Sequence, residues 1–433
     1  MTLARVFFTL SGFISVTNGL IEVGPDARPA VKAAGVALIL VGLLTWALVG
    51  RLRCSGPATV KQTAVVTVAI AAARVAQFAV LHSPTILLAI VLPAVALWRV
   101  ARSTQQPTPG RAVPITAGVL VLLTIGALAF ALVPPNLPAS ANAPALKDDQ
   151  SPTTPPEPNP TGYLTATDGT RLAYFADVPA NPVATLVFYH GSGANAGAGY
   201  LTFGHQVAER FHVATYLFDM RGHGKSGGRR GDAPSQDQMF ADTQTAVDFV
   251  KHTHPQLPEY AGGHSAGAGL VLNSENRIDH EVAGYVFLAP DFGLHSGTEL
   301  QSDASNFATI SHRALIADVV TNGLLDAHTY AVSFAYTPEQ ITRARMVSRY
   351  TTTMAIAQNA DNSAKILAGT AKPVGVWIGS DDEVFDAAKV LTWARHAPQV
   401  TTGTVPGADH LGVIDRSVAD VGTWLDQQAA HRP

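Results

Sequence analysis

The 433-residue chain is 47% hydrophobic but only 14% charged, with a net charge of −3 and a single cysteine, Cys54. Soluble domains carry about 25% charged residues, so this composition excludes a disordered chain, a coiled coil and an ordinary charged cytosolic protein. The lone cysteine excludes an internal disulfide framework and any Cys-based zinc cluster, and the acidic balance leaves no basic footprint for nucleic acid.

The average conceals two unlike parts. Residues 1–133 hold 10 Lys and Arg but only two acidic residues, Glu22 and Asp26; the other 19 of the 29 basic and 30 of the 32 acidic residues follow. A bilayer-crossing helix needs about 20 mostly apolar residues. Five stretches approach that, at roughly 6–21, 30–50, 60–81, 84–100 and 112–133. The first is short and carries Thr17 and Asn18. The third contains Gln77 and Arg74, which either snorkels to an interface or faces a neighbouring helix. So many apolar stretches with so few acids predict an all-α transmembrane bundle rather than buried core helices. Arg5 precedes the first stretch, Arg51, Arg53 and Lys61 follow the second, and Arg99, Arg102 and Arg111 follow the fourth. Basic loops stay in the cytoplasm, so the N-terminus is expected there and the chain leaves the fifth span on the extracytoplasmic side. The first stretch shows no convincing cleavage site of a signal peptide, and cleavage would not alter the exit side.

Residues 134–160 contain nine prolines in 27 positions. Such a run favours extended polyproline geometry and packs no core, so it reads as a linker.

Residues 161–433 alternate strands and helices. Continuous apolar runs at 183–189, 213–218, 282–288 and 373–378 suit strands buried on both faces, and the segments 235–251 and 386–395 carry helical patterns. This alternation predicts an α/β domain with a doubly wound, mostly parallel sheet. Ligands bind such sheets at the carboxyl ends of the strands, so the loops there hold the candidate chemistry.

Four loops carry it. Gly263-His264-Ser265-Ala266-Gly267 fits G-x-S-x-G, in which a sharp strand-to-helix turn lifts a serine hydroxyl above the sheet. The strand before it is weak, with only Tyr260 and Ala261 non-polar ahead of Gly262. His190-Gly191-Ser192-Gly193 follows a strand and offers backbone N–H groups for an oxyanion; Ser192 is best placed there, and Ala266 supplies the second donor. Gly379-Ser380-Asp381-Asp382-Glu383 offers a carboxylate, and Gly407-Ala408-Asp409-His410 offers a base. The order Ser265, Asp382, His410 is that of a Ser-Asp-His triad on this kind of sheet.

Together these loops resemble the α/β-hydrolase superfamily, in its monoacylglycerol lipase, lysophospholipase and serine aminopeptidase-like branch. Asp219-Met220-Arg221-Gly222-His223-Gly224-Lys225-Ser226 resembles the D-x-R-G-H-G-x-S segment of that branch, where it is structural rather than catalytic. The resemblance also selects Asp382 over Asp381, since the branch places its acid three residues after the glycine. It spans about 161–433 and implies a helical lid inserted at about 292–369, where 314–325 and 340–349 read as helices. It further implies a serine ester hydrolase that needs no metal or cofactor and acts on small-molecule or lipid-like monoacyl esters. A peptidase or acyltransferase would use the same triad. A membrane sensor whose hydrolase-like domain only binds ligands is the rival from another class. The exact substrate and the oligomeric state are not legible.

Overall fold

The computed structural model describes residues 158–300, 307–311, 314, 315, 318 and 327–430. The five apolar stretches and residues 134–157 of the proline-rich segment lie outside the described residues. Among the described residues no helix is long and apolar enough to cross a membrane.

The chain first forms an antiparallel pair, β1 (Gly162–Thr165) and β2 (Arg171–Asp177). The apolar runs then become β3 (Ala184–Tyr189), β4 (Val213–Phe218), β6 (Gly284–Leu288) and β10 (Val374–Gly379), every residue of them buried. β5 (Glu259–His264) is buried throughout as well, and β11 (Val400–Val405) closes the sheet at an edge. The eight strands lie in the order β1-β2-β4-β3-β5-β6-β10-β11, parallel from β4 onward and antiparallel at β1–β2–β4. The doubly wound, mostly parallel sheet expected from sequence is therefore present.

Helices return the chain between strands. α1 (Tyr200–Phe211) follows β3, and α2 (Gln236–Thr253) follows β4, its first turn capped by Ser235, whose side chain accepts the Gln238 N–H. α3 (Ala266–Asn273) follows β5, α4 (Ala387–Ala394) follows β10, and α5 (Val418–Ala430) ends the described chain. α5 packs on α1, and α2 on α3.

The weak apolar signal of β5 has a packing cause. A Cβ on Gly262 would stand 2.0 Å from the Val286 carbonyl oxygen, and one on Gly263 would stand 2.4 Å from the Gly267 carbonyl carbon. Only glycine lets this strand lie so close to β6 and α3.

The insertion differs from the expected helical lid. β7 (Ala308–Ile310), β8 (Tyr330–Phe334) and β9 (Arg349–Thr351) form a three-stranded antiparallel sheet within it. Of 340–349, only the start is helical: the helix Pro338–Thr342 stops, Arg345 takes φ +57°, and Arg349 opens β9. A residue in that left-handed region cannot continue a right-handed helix. Phe334 and Tyr350 then pack edge to face across the strand pair, with centroids 4.7 Å apart. Of 314–325 only Ala314, Leu315 and Asp318 are described, and they are helical. The short helices Thr352–Ala357 and Ser363–Gly369 complete the insertion.

Candidate active site

β5 ends at His264, α3 starts at Ala266, and Ser265 makes the turn between them at φ +53°, ψ −121°. A side chain at positive φ is strained, and the surroundings hold it there. The Ser265 N–H donates to the Leu288 carbonyl (3.0 Å), while its carbonyl accepts from the N–H groups of Ala268 and Asp291 (both 3.1 Å). A Cβ on Gly267 would stand 2.5 Å from the carbonyl oxygens of both Tyr189 and His190. The turn thus presses against the end of β3, and a Cβ on Gly191 would lie 3.3 Å from that of Ser265.

His410 follows β11. Its Nδ1–H donates to Asp382 Oδ2 at 2.9 Å, and both side chains are buried. Asp382 Oδ1 accepts the N–H groups of Val384 and Phe385, each at 2.8 Å. The adjacent Asp381 is exposed and instead accepts from the Ser380 hydroxyl (2.8 Å). Burial works against charge on His410, but Asp382 outweighs it and raises the imidazole above its ordinary value. Burial likewise opposes the Asp382 charge, yet His410 and the two N–H donors hold the carboxyl below its usual range. With its proton fixed on Nδ1, His410 keeps Nε2 as the basic nitrogen. The His410 N–H donates to Glu383 Oε2 (2.9 Å).

His264, next to the serine, ties these loops together. Its Nε2–H donates to the His410 carbonyl (2.9 Å), and the two rings lie 4.7 Å apart. That leaves Nδ1 to accept the Tyr200 hydroxyl (2.8 Å), which in turn accepts the Gly191 N–H (2.8 Å). Burial, with a smaller push from His410, lowers His264 to about 3, so it stays neutral and keeps both roles.

A matching path lies on the other side of Ser192. The Gly193 N–H donates to the Tyr350 hydroxyl (2.6 Å), which donates to His223 Nε2 (2.7 Å); His223 Nδ1–H donates to the Arg221 carbonyl (2.8 Å). The Tyr336 hydroxyl donates to the Ser192 carbonyl (2.6 Å). The amides flanking Ser192 are therefore engaged by phenols. Among the described residues no acceptor is assigned to the N–H of Ser192 or of Ala266. Ala266 opens α3, where the first amides have no acceptor within the helix.

The Asp219–Ser226 segment is a brace. Arg221 is buried and makes paired contacts with Asp242 (2.7 and 2.9 Å) and Asp168 (2.8 and 3.1 Å). Arg221 lowers Asp168 to about 2. Asp219 accepts the N–H groups of Ala196 and Lys225, both at 2.8 Å, fixing the loop after β3 to the end of β4. After β6, burial pushes the Asp291 carboxyl up to about 7, although the Gly293 N–H bonded to it pulls the other way. Among the described residues no three His, Cys, Asp or Glu side chains cluster as metal ligands.

The structure places Ser192, Ser265, Asp382 and His410 just past the carboxyl ends of β3, β5, β10 and β11, with Ala266 opening α3; His410 and Asp382 are bonded directly, and Ser265 is tied to His410 through its neighbour His264. Sequence reasoning missed Tyr200, Tyr336, Tyr350 and the bridging role of His264. Phenols 9 to 157 positions from the residues they brace leave no local signal, and His264 stands at the variable position of its motif.

A family model described as serine aminopeptidase, S33, matches residues 180–417. A monoacylglycerol lipase of Mycolicibacterium smegmatis is 34% identical over 133 residues, covering 30% of this chain and 46% of the relative. A putative monoglyceride lipase of Schizosaccharomyces pombe is 31% identical over 159 residues, covering 35% and 40%. The chain thus spans less than half the length of these curated relatives. Among solved structures, a soluble variant of monoglyceride lipase from Saccharomyces cerevisiae aligns over 66% of this chain and 99% of its own, at 18% identity and a TM-score of 0.45.

Proposed function

The chain belongs to the serine aminopeptidase S33 family, within the α/β-hydrolases, and from that premise we propose that it is a serine hydrolase of carboxylic esters. One observation carries the proposal. Ser265 sits in a strained turn beside the oxyanion loop, and its neighbour His264 is bonded to His410, whose Nδ1–H is held by Asp382.

In this reading Ser265 Oγ attacks the ester carbonyl as His410 Nε2 takes its proton. Asp382 stabilises the imidazolium that forms, without itself taking the proton. The N–H groups of Ser192 and Ala266 receive the oxyanion, each worth about 3 kcal/mol at the transition state. His410 then protonates the leaving alkoxide. Water, deprotonated by His410, attacks the acyl-enzyme and releases the acid, restoring Ser265.

The substrate class we infer is lipid-like monoacyl esters. The relatives named as lipases of monoacylglycerol or monoglyceride support it, as does the apolar, basic N-terminal third. We propose that this third anchors the chain in a membrane, with the proline-rich segment spacing a hydrolase domain on the extracytoplasmic side.

Two experiments test this. p-Nitrophenyl esters of increasing acyl length, with matched anilides, are expected to show ester turnover rising with chain length; turnover of anilides alone would make the chain a peptidase instead. A membrane-impermeant fluorophosphonate is expected to label the chain on intact cells. Labelling only after lysis would reverse the topology.

A further inference from the structure

The lid insertion touches the oxyanion loop along 192–195. The Ser192 carbonyl and the Gly193 N–H belong to one planar peptide unit. Two lid phenols hold that unit at its opposite ends: the Tyr336 hydroxyl donates to the carbonyl, and the Tyr350 hydroxyl accepts the N–H, each at 2.6 Å. Burial pushes both phenols up, so they stay protonated. The Phe334 ring packs on both, its centroid 4.7 Å from that of Tyr350 and 6.2 Å from that of Tyr336.

Backbone seats the same stretch on the lid. Gly193 takes φ +68° and its carbonyl accepts the Val347 N–H (2.7 Å); a Cβ there would stand 2.4 Å from the Val347 carbonyl oxygen. Asn195 Nδ2 donates to the Ala344 carbonyl (2.6 Å).

The preceding peptide unit carries the Ser192 N–H. Its carbonyl end, on Gly191, accepts His190 Nδ1–H (2.9 Å) and the Ala194 N–H (3.2 Å), while His190 Nε2 accepts the Met220 N–H (3.1 Å). One peptide is pinned through Gly191 and the next by the lid. Both backbone torsions of Ser192 are thereby fixed, and with them the direction of its N–H. An oxyanion donor is most effective when nothing has to reorganise as charge develops.

We propose that Tyr336 and Tyr350 are positioning residues for ester hydrolysis, and that the lid segment bearing them completes the oxyanion site by clamping the 192–193 peptide. This rests on the serine ester hydrolase reading above. The lid in this place is then a requirement for turnover, not an obstacle to it. Its effect belongs in kcat, because the oxyanion forms only beyond the ground state.

The test uses the full-length chain in detergent, with p-nitrophenyl butanoate as substrate and an alkyl trifluoromethyl ketone as probe. Ser265 Oγ bonds to the ketone carbon, its proton passes to His410, and the carbonyl electron pair moves onto the oxygen. That oxygen then sits where the ester oxyanion would. Tyr336→Phe and Tyr350→Phe are each expected to lower kcat about tenfold with KM within about twofold. The inhibition constant of the ketone should rise by the same factor. The acid limb of kcat/KM should stay in place, since the Asp382–His410 pair is untouched. Tyr330→Phe removes a hydroxyl that donates to the Arg230 carbonyl (3.3 Å) from the same small sheet, and should leave kcat and ketone affinity within about twofold.

Wild-type kcat retained in both lid variants would overturn the clamp and leave the hydrolase reading standing. So would a loss of kcat with ketone affinity unchanged, or an equal loss in Tyr330→Phe. If neither variant folds, hydrogen exchange of the wild-type chain decides. Ketone binding should then protect 192–195 and 344–350 together, and protection of 192–195 alone would overturn the clamp. A wild-type chain that neither turns over the ester nor binds the ketone would overturn both readings.

Discussion

β5 carries a buried ionisable side chain at each end, and the fold treats them differently. His264, at the carboxyl end, is 1% exposed and uses both ring nitrogens, one toward Tyr200 and one toward His410. Glu259, at the amino end, is also 1% exposed, but neither carboxyl oxygen has a hydrogen-bond partner among the described residues. Its register partner Thr185 on β3 has an unpartnered hydroxyl as well. Burial drives both residues neutral, His264 down to about 3 and Glu259 up to about 9. At the carboxyl end a neutral buried group ties together the loops of the proposed active site. At the amino end it is a cost to stability, since a buried polar group without a partner forfeits its hydration.

The sharpest way to break this contrast is to disable the carboxyl end. Ser265→Ala is expected to reduce kcat by about 10⁴–10⁶-fold while thermal unfolding stays near that of the parent chain. Activity within tenfold of wild type would mean that chemistry resides elsewhere.

Asp382→Asn should cost about 10³–10⁴-fold in kcat and also move the pH profile. Asp382 is what raises His410 against the opposing effect of burial. The base must be neutral to work, so wild-type kcat/KM should rise with pH through a value above the ordinary histidine value of about 6.5. Without the carboxylate that acid limb should shift to lower pH. A limb that stays in place would remove Asp382 from its role.

The amino end is probed by Glu259→Gln. The folded chain keeps this proton up to about pH 9, whereas the unfolded chain releases it near the ordinary value of 4.5. Its contribution is therefore greatest below pH 4.5 and is lost as pH rises toward 9. At pH 7 the cost is about 3 kcal/mol. The variant should gain melting temperature over wild type, and the gain should widen from pH 5 to pH 8. A gap independent of pH would show that the buried proton is not the cause.

Tyr200→Phe makes the smallest change. It removes one hydroxyl and strands the Gly191 N–H and His264 Nδ1, at a cost of about 1–3 kcal/mol in stability. Because the bridge positions the oxyanion loop, kcat should fall about tenfold, equivalent to roughly 1.4 kcal/mol, with KM little changed. An unaltered kcat alongside lost stability would make Tyr200 a packing residue only.

The legible parts of the fold were those where local pattern and tertiary packing agree. β3, β4, β6 and β10 read as apolar runs because helices cover both faces of the sheet. α2 and α4 were legible as the helical patterns at 235–251 and 386–395, which begin on the residues that cap the two helices, Ser235 and Asp386. Ser265, Asp382 and His410 stood out because each lies just past a strand end, in a short glycine-bearing loop. β5 was faint because Gly262 and Gly263 answer to backbone contacts with Val286 and Gly267, which no propensity encodes. The lid sheet was hidden for a related reason. β9 is three residues long and gains its identity from pairing with β8, and the positive φ of Arg345 ends the preceding helix without a glycine to signal it. The tyrosines that brace the oxyanion loop were unreadable, since each meets the loop only once the chain is folded.

The central claim is that Ser265 is a nucleophile activated by His410. Its most direct test is mass-spectrometric mapping of the adduct formed by a fluorophosphonate on the full-length chain, followed over time in wild type and in His410→Ala. The account predicts one modified peptide, bearing the adduct on Ser265, formed rapidly in wild type and orders of magnitude more slowly in the variant. An unmodified Ser265, an adduct on a different serine, or equal rates in the two proteins would contradict it.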